Sequence, residues 1–322
     1  MKNARAFLLA GFAGLASLAF FAARSDAKPE TVSKIADGVW FREGGVDGHC
    51  NNTIIEMKDY LIVVDANFPN GARLALEDAK KISAKPVKYV FDTHHHGDHS
   101  YGNAVWTEAG ATTLAYKGVA EEMKRHEPTR WQSTAKTRKD VGDLKRESVE
   151  PPKQTFDKNK FVLSDSSRTV EFHFFGWAHT RGDGFVYIPK EQVLCTGDAV
   201  VNGAYNYVED GNIANWPNVI RAAQKLKIAH VLPGHGEPAT KDLLDGQILY
   251  FTELQKAVKS AMSQGKKLED LVTMRNGAAV STTVTLPDTV KKWVGGSLAL
   301  HVQAAYQEAA QKKPYGEITG GK

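Results

Sequence analysis

The chain has 322 residues, a formal net charge of +4, 24% charged residues and 42% hydrophobic residues. That length buries one substantial core or two modest ones, and a positive charge so small and evenly spread argues against a nucleic-acid partner. The only two cysteines, Cys50 and Cys195, exclude a disulfide framework and leave open whether they pair.

The first 27 residues stand apart. Lys2 and Arg5 precede the apolar run "AFLLAGFAGLASLAFFAA", and Ser25-Asp26-Ala27 has the small-x-small form of a cleavage site. This predicts a signal peptide over 1–27, a mature chain beginning near Lys28, a periplasmic or secreted location, and no stable membrane insertion after cleavage.

"NNTIIEMKDYLIVVDA" reads as two apolar strands joined by a tight turn at Lys58-Asp59. Helical spacing follows over Gly71–Lys81, and "VKYVFDT" is a buried strand. A short helix, a strand near Thr112–Ala115 and a helix over Lys117–Arg125 come next. From residue 126 to about 158 the pattern breaks into a polar stretch with Pro128, Pro151, Pro152 and a solitary Trp131, which predicts a long loop, either a lid or a mobile segment.

Strands resume at "KFVLS", "TVEFHFF", "GFVYIP" and "QVLCTGD", followed by a helix over Val219–Leu226, the strand "AHVLP" and the turn "GHGEP". Beyond Thr240 the pattern is helical, over Leu243–Ser263 and Val290–Gln311. Residues 28–240 thus run as two similar halves, which predicts two sheets packed face to face with helices outside. Residues 241–322 are expected to pack on that same domain as a helical segment.

The chemistry concentrates in "DTHHHGDHSYGN", Asp92 to Asn103. In an extended loop His94 and His96 project to one side and His95 to the other. Two imidazoles converging from one loop suit two corners of a zinc site, and Asp98 and His99 can turn to a second ion. So many polar groups at the end of a buried strand would be costly to desolvate without a metal. Three further candidates sit at strand ends or turns: His179 in "GWAHTRGD", Asp198 in "VLCTGDAV" and His235 in "VLPGHGEP". His94, His96 and His179 would form one site; Asp98, His99 and His235 would form the other, with Asp198 bridging. His126, His173, His230 and His301 read as surface or packing residues. His49, in the glycine-rich "EGGVDGHCNN", reads as part of a mobile loop at the site mouth.

H-x-H-x-D-H, the histidine of "AHT", the aspartate of "TGD" and the histidine of "PGHG" resemble, in order and spacing, the motifs of the metallo-β-lactamase superfamily, over roughly Ile35 to Pro238. The resemblance implies an α+β fold, a four-layer αββα sandwich, with a dinuclear metal site on one edge of the sheets. Zinc is the usual metal, with iron or manganese as alternatives. It also implies a hydroxide held between the two ions that attacks an ester, thioester, lactone or lactam carbonyl, with Asp98 orienting it as well as ligating.

Within the superfamily, aspartate at 198 is similar to glyoxalase II and lactonases, whereas β-lactamases proper carry cysteine or serine there. The "PGHGEP" context departs from glyoxalase II. The expectation is an exported zinc-dependent hydrolase of a small-molecule substrate. The alternatives are a β-lactamase proper, or a mononuclear iron persulfide dioxygenase using two histidines and one aspartate. Tyr205 and Tyr207, after Asp198, are candidates to line the pocket or donate to an oxyanion, or are loop residues packing on the sheet rim; Trp131 is a candidate cap for the same mouth. The sequence sets neither the substrate nor the oligomeric state.

Overall fold

In the computed structural model, residues 30–320 are described, apart from 46 and 128; the expected signal over 1–27 lies outside the described residues. Strands with apolar residues on both faces set the architecture. In "NTIIE" and "LIVV", Ile55, Ile62 and Val64 point into one apolar layer and Ile54, Leu61 and Val63 into another. A strand buried on both faces must sit between two layers, and alternate side chains fill each. Each fully buried aliphatic side chain contributes roughly 1.5–3 kcal/mol, which fixes the register firmly.

The first half of the chain runs β1 (Thr31–Ala36), β2 (Val39–Glu43), β3 (Asn52–Glu56), β4 (Leu61–Val64), α1 (Pro69–Ile82), β5 (Val87–Asp92), α2 (Gly97–Ser100), α3 (Asn103–Glu108), β6 (Thr112–Tyr116), α4 (Lys117–His126), α5 (Thr129–Thr137), α6 (Lys139–Gly142) and β7 (Gln154–Phe156). Its seven strands form one sheet in sequence order, antiparallel up to β4 and parallel from β4 to β7.

The second sheet contains β8 (Lys160–Ser164), β9 (Thr169–Phe174), β10 (Gly184–Ile188), β11 (Val193–Gly197) and, after α7 (Trp216–Ala223), β12 (His230–Pro233). Neighbours are antiparallel except the last pair, β11 and β12, which are parallel. The C-terminal segment holds α8 (Asp242–Ser263), α9 (Leu268–Leu271), the hairpin β13 (Val272–Arg275) and β14 (Ala278–Thr282), a 3-10 turn at Asp288–Trp293, α10 (Leu298–Gln311) and α11 (Tyr315–Ile318).

Phe41, Phe91 and Phe172 meet between the two sheets. Ala72, Ala75 and Ala79 of α1 and Trp106 of α3 cover the outer face of the first sheet. On the outer face of the second, Trp216 of α7 stacks on Phe251 of α8 at 4.2 Å, joined by Val302 of α10. The layers are therefore helix, sheet, sheet, helix, an α+β sandwich. No helix among the described residues is long and apolar enough to cross a membrane.

Three expectations change. The stretch after residue 126 is not a long loop: α5 and α6 fold against the domain, and Trp131 is buried against Tyr101 at 4.8 Å rather than at a mouth. The C-terminal segment contains the β13–β14 hairpin besides its helices, turned by Asn276 and Gly277 at φ 52° and 82°. His49 is buried, with Nδ1 2.6 Å from Glu30 Oε1, and is not on a mobile loop. Cys50 and Cys195 are both free, buried thiols.

Candidate metal centre

The parallel strands β4, β5, β11 and β12 all end at one edge of the sandwich, and that edge collects the polar residues. In α/β sheets the carboxyl ends of parallel strands are where polar groups can leave the core without breaking the ladder. Asp65 follows β4, His94 to His99 follow β5, Asp198 follows β11 and His235 follows β12, while His179 comes from the loop between β9 and β10.

All seven sequence candidates for metal meet there. His96 Nδ1 lies 3.1 Å from His94 Nε2 and 2.9 Å from His179 Nε2. Alongside, His235 Nε2 lies 3.0 Å from Asp98 Oδ2 and 3.4 Å from His99 Nε2. Asp198 touches both groups: Oδ1 is 3.4 Å from His99 Nε2, and Oδ2 is 3.4 Å from His235 Nε2 and 3.9 Å from His179 Nε2.

Outer partners decide which ring nitrogen faces inward. His179 Nδ1 donates to the Tyr207 carbonyl at 2.9 Å, so its Nε2 carries the lone pair. His96 Nε2 faces Asp210 Oδ2 at 2.8 Å, which leaves Nδ1 inward. His99 Nδ1 faces Asp65 Oδ2 at 2.9 Å, and His94 Nδ1 is 3.0 Å from Thr93 Oγ1. Imidazole–carboxylate and imidazole–carbonyl pairs of this kind fix tautomer and ring angle around a metal. The lone pairs of His96 Nδ1 and His179 Nε2 therefore face each other at 2.9 Å with no proton to share, a repulsive arrangement in a buried site that a cation would relieve.

The electrostatics differ across the site. Burial, reinforced by neighbouring imidazoles, pushes the pKa of His94 well below its ordinary value. Burial likewise lowers His96 to about 4 and His179 to about 3, so these three rings are neutral donors at physiological pH. Burial also opposes charge on His99, yet Cys50, Asp98, Asp198 and Asp65 outweigh it and hold its pKa well above the usual range. Burial opposes ionised Asp98 too, but His99 and His235 beside it keep that carboxyl well below the usual range. Asp198 Oδ1 is buried with no hydrogen-bond partner, which suits an oxygen reserved for a cation.

His95 turns away from this cluster. Its Nε2 lies 3.2 Å from an Arg130 guanidinium nitrogen and 3.5 Å from Asp210 Oδ2, and its ring stacks near His126 at 5.3 Å. Of the two tyrosines, Tyr205 is exposed and stacks on His235 at 5.6 Å. Tyr207 donates its hydroxyl to Glu209 at 2.7 Å and meets the site through its carbonyl.

Several residues were not singled out from the sequence. Asp210 is gripped by Arg130 of α5 through two bonds of 2.8 and 2.9 Å, so the stretch expected to be a loop supplies the guanidinium behind His96. Asp183 gathers the backbone N–H groups of Ala178, His179 and Thr180 at 2.7–3.0 Å and shapes the His179 turn. Asn51 donates to the carbonyls of Pro233 and Gly236 at 2.9 and 2.8 Å, holding the His235 loop. Asp65, the partner of His99, was not singled out either, but it had a readable signal: it follows the apolar strand in "LIVVD", as Asp198 follows "VLCTG".

A family model described as "Metallo-beta-lactamase superfamily" matches residues 45–235, more than half of the chain. The chain belongs to the metallo-beta-lactamase superfamily. A curated relative, 2,4-dinitroanisole O-demethylase subunit alpha of Nocardioides sp. (strain JS1661), is 27% identical over 194 residues, 59% of this chain and 53% of that protein. The chain thus spans about half the length of that relative. Among solved structures, a metallo-beta-lactamase from Pontibacter korlensis is 20% identical with a TM-score of 0.57, covering 69% of this chain and 99% of that one. Another, from Hirschia baltica, is 20% identical with a TM-score of 0.56, covering 70% and 98%. At such identity the likeness concerns the fold. Family and geometry together describe a metallo-beta-lactamase-fold protein with a buried, histidine-rich metal-binding site.

Proposed function

We propose that the protein is an exported, dinuclear zinc-dependent hydrolase of small-molecule esters, thioesters, lactones or lactams. The observation that carries this reading is the convergence of the neutral His94, His96 and His179 rings on one point, beside a second group of Asp98, His99 and His235, with an Asp198 oxygen lacking a hydrogen-bond partner between them. His94, His96 and His179 would hold one cation, Asp98, His99 and His235 the second, with Asp198 between them. Two divalent cations there would supply Lewis acidity, lowering the pKa of water toward neutrality and polarising an acyl oxygen.

The chain's own groups supply the rest. Asp98 is half-buried and stays ionised beside His235, which suits it to orient water by accepting a hydrogen bond from it. Tyr205, exposed over His235, offers an aromatic wall and a hydroxyl at the entrance. The hydroxyl of Tyr207 is committed to Glu209, which assigns that residue to holding His179. A mononuclear iron dioxygenase needs only two histidines and one carboxylate; the second complete group and the two-sided Asp198 favour the dinuclear reading.

The test is a screen of zinc-loaded protein against nitrocefin, S-lactoylglutathione, homoserine lactones, aryl esters and, because of the Nocardioides relative, 2,4-dinitroanisole. Hydrolysis of at least one class, abolished by chelation and restored by zinc, is expected. Oxygen consumption with glutathione persulfide by iron-loaded protein, and no hydrolysis of any class, would replace this reading with the dioxygenase. Export rests on residues 1–27, and N-terminal sequencing of protein from the periplasm or medium is expected to begin at Lys28. Recovery only from the cytoplasm with Met1 intact would refute it.

A further inference from the structure

The family match ends at residue 235, yet the chain continues through α8, α10 and α11. Those helices reach back to the loop between β11 and α7, which carries Tyr207 and Asp210. His301 of α10 donates through Nε2 to the Asn206 carbonyl at 3.0 Å. Its ring is neutral, because burial lowers its pKa to about 4, so Nδ1 accepts from the Tyr250 hydroxyl of α8 at 2.5 Å. Gln247, also of α8, donates to Asn206 Oδ1 at 2.5 Å. Further along the loop, Glu308 of α10 accepts from the backbone N–H groups of Ile213 and Ala214, both at 2.8 Å. Gly316 N–H donates to the Gly211 carbonyl at 2.9 Å.

His301, Tyr250 and Gln247 lie at the apolar cluster beneath the second sheet's helices and are fully or almost fully buried. Burying polar groups there adds little stability over apolar side chains of similar size, but once each is partnered it fixes a single arrangement. The arrangement fixed here is that of Asn206, whose next residue, Tyr207, presents the carbonyl that aims His179.

We propose that His301 is a positioning residue of the metal centre: its bond to the Asn206 carbonyl sets the Tyr207 carbonyl, and through it the direction of His179. The C-terminal segment is thereby part of the site and not an appendage. This inference rests on the metal reading above.

The test is a competitive zinc titration of chelator-stripped, full-length protein against a chromophoric chelator. The step missing in His179→Ala marks the three-histidine group. In His301→Ala that step is expected to weaken several-fold, less than the roughly tenfold or more that follows direct loss of a ligand's own outer partner, because His301 acts through Asn206 and Tyr207, with the other step moving less than about twofold. His301→Gln, which can donate and accept, is expected to restore most of the loss. Val258→Ala, a cavity in the same apolar cluster, serves as a stability control and should lower Tm without separating the two steps. If both steps are unchanged in His301→Ala, or shift together as in Val258→Ala, the proposal is overturned. Should His301→Ala not fold, Tyr250→Phe removes only the hydroxyl; a smaller shift confined to the same step supports the proposal, and no shift overturns it. Absence of zinc binding in the unmutated protein would instead refute the metal reading itself.

Discussion

His96 and Asp210, 114 residues apart in sequence, meet at 2.8 Å, and this contact turns the other ring nitrogen of His96 toward His94 and His179. Asp210 is held in turn by both arms of Arg130. Asp210→Ala would release His96 and remove both carboxylate bonds from a largely buried guanidinium. Zinc affinity of the three-histidine group is expected to fall 10–100-fold, and stability by about 3–5 kcal/mol. Urea unfolding of the metal-free protein separates the two effects: the stability loss should persist without zinc. Unchanged affinity would remove Asp210 from the account.

Gly234 is where the β12 turn passes Asp198 most closely. A Cβ at this position would collide with Asp198 Oδ1, the same oxygen that lacks a hydrogen-bond partner. Gly234→Ala should therefore displace the carboxylate that lies between the two groups and, because the same Cβ comes within 2.8 Å of the Gly197 backbone and 3.0 Å of His99 Cε1, strain the turn as well. The expected result is a lowered Tm in the metal-free state with zinc binding weakened at both groups; full zinc affinity would show that Asp198 is not a ligand.

How legible this was depends on how locally each feature is encoded. His94, His96, Asp98, His99, His179, Asp198 and His235 stand out because each lies in a short motif at a strand end, and strand ends share an edge. Asp210, Arg130 and Asp183 carry no such mark: they are ordinary loop or helix residues until tertiary packing sets them behind a histidine. The α5 and α6 helices were hidden because their composition is polar, with Trp131 the single large apolar anchor. The β13–β14 hairpin was missed although Asn276-Gly277 is a strong turn signal, because the flanking helices dominate the pattern. His301 read as packing, and its ring is indeed buried, but sequence offers no hint that its partner is a loop carbonyl behind the metal site.

Acid should weaken the fold partly through His301. Its folded pKa lies near 4, below the ordinary 6.5 of an unfolded chain. Between those values only the unfolded state takes the proton, so stability is complete above about pH 6.5 and declines as pH falls toward 4, by roughly 3 kcal/mol from this group. Urea unfolding of metal-free protein from pH 7 to 4 is expected to fall more steeply for the unmutated chain than for His301→Gln. Parallel profiles would contradict the assignment.

The two thiols give an independent check on packing. Burial pushes the pKa of both Cys50 and Cys195 up to about 12, and both are free. A thiol reagent should find essentially no reactive group in the native protein and both after unfolding without reductant, since reactivity follows access and thiolate fraction. A disulfide, or a native thiol that reacts quickly, would conflict with the placement of Cys50 beside His99.

The most direct test of the central claim is metal content by mass spectrometry after zinc reconstitution of the unmutated protein, His95→Ala and His96→Ala. Because His95 faces Arg130 and Asp210 while His96 faces His94 and His179, the unmutated chain and His95→Ala should each hold about two zinc equivalents, and His96→Ala about one. Less than one equivalent in the unmutated protein, or equal losses in His95→Ala and His96→Ala, would contradict it.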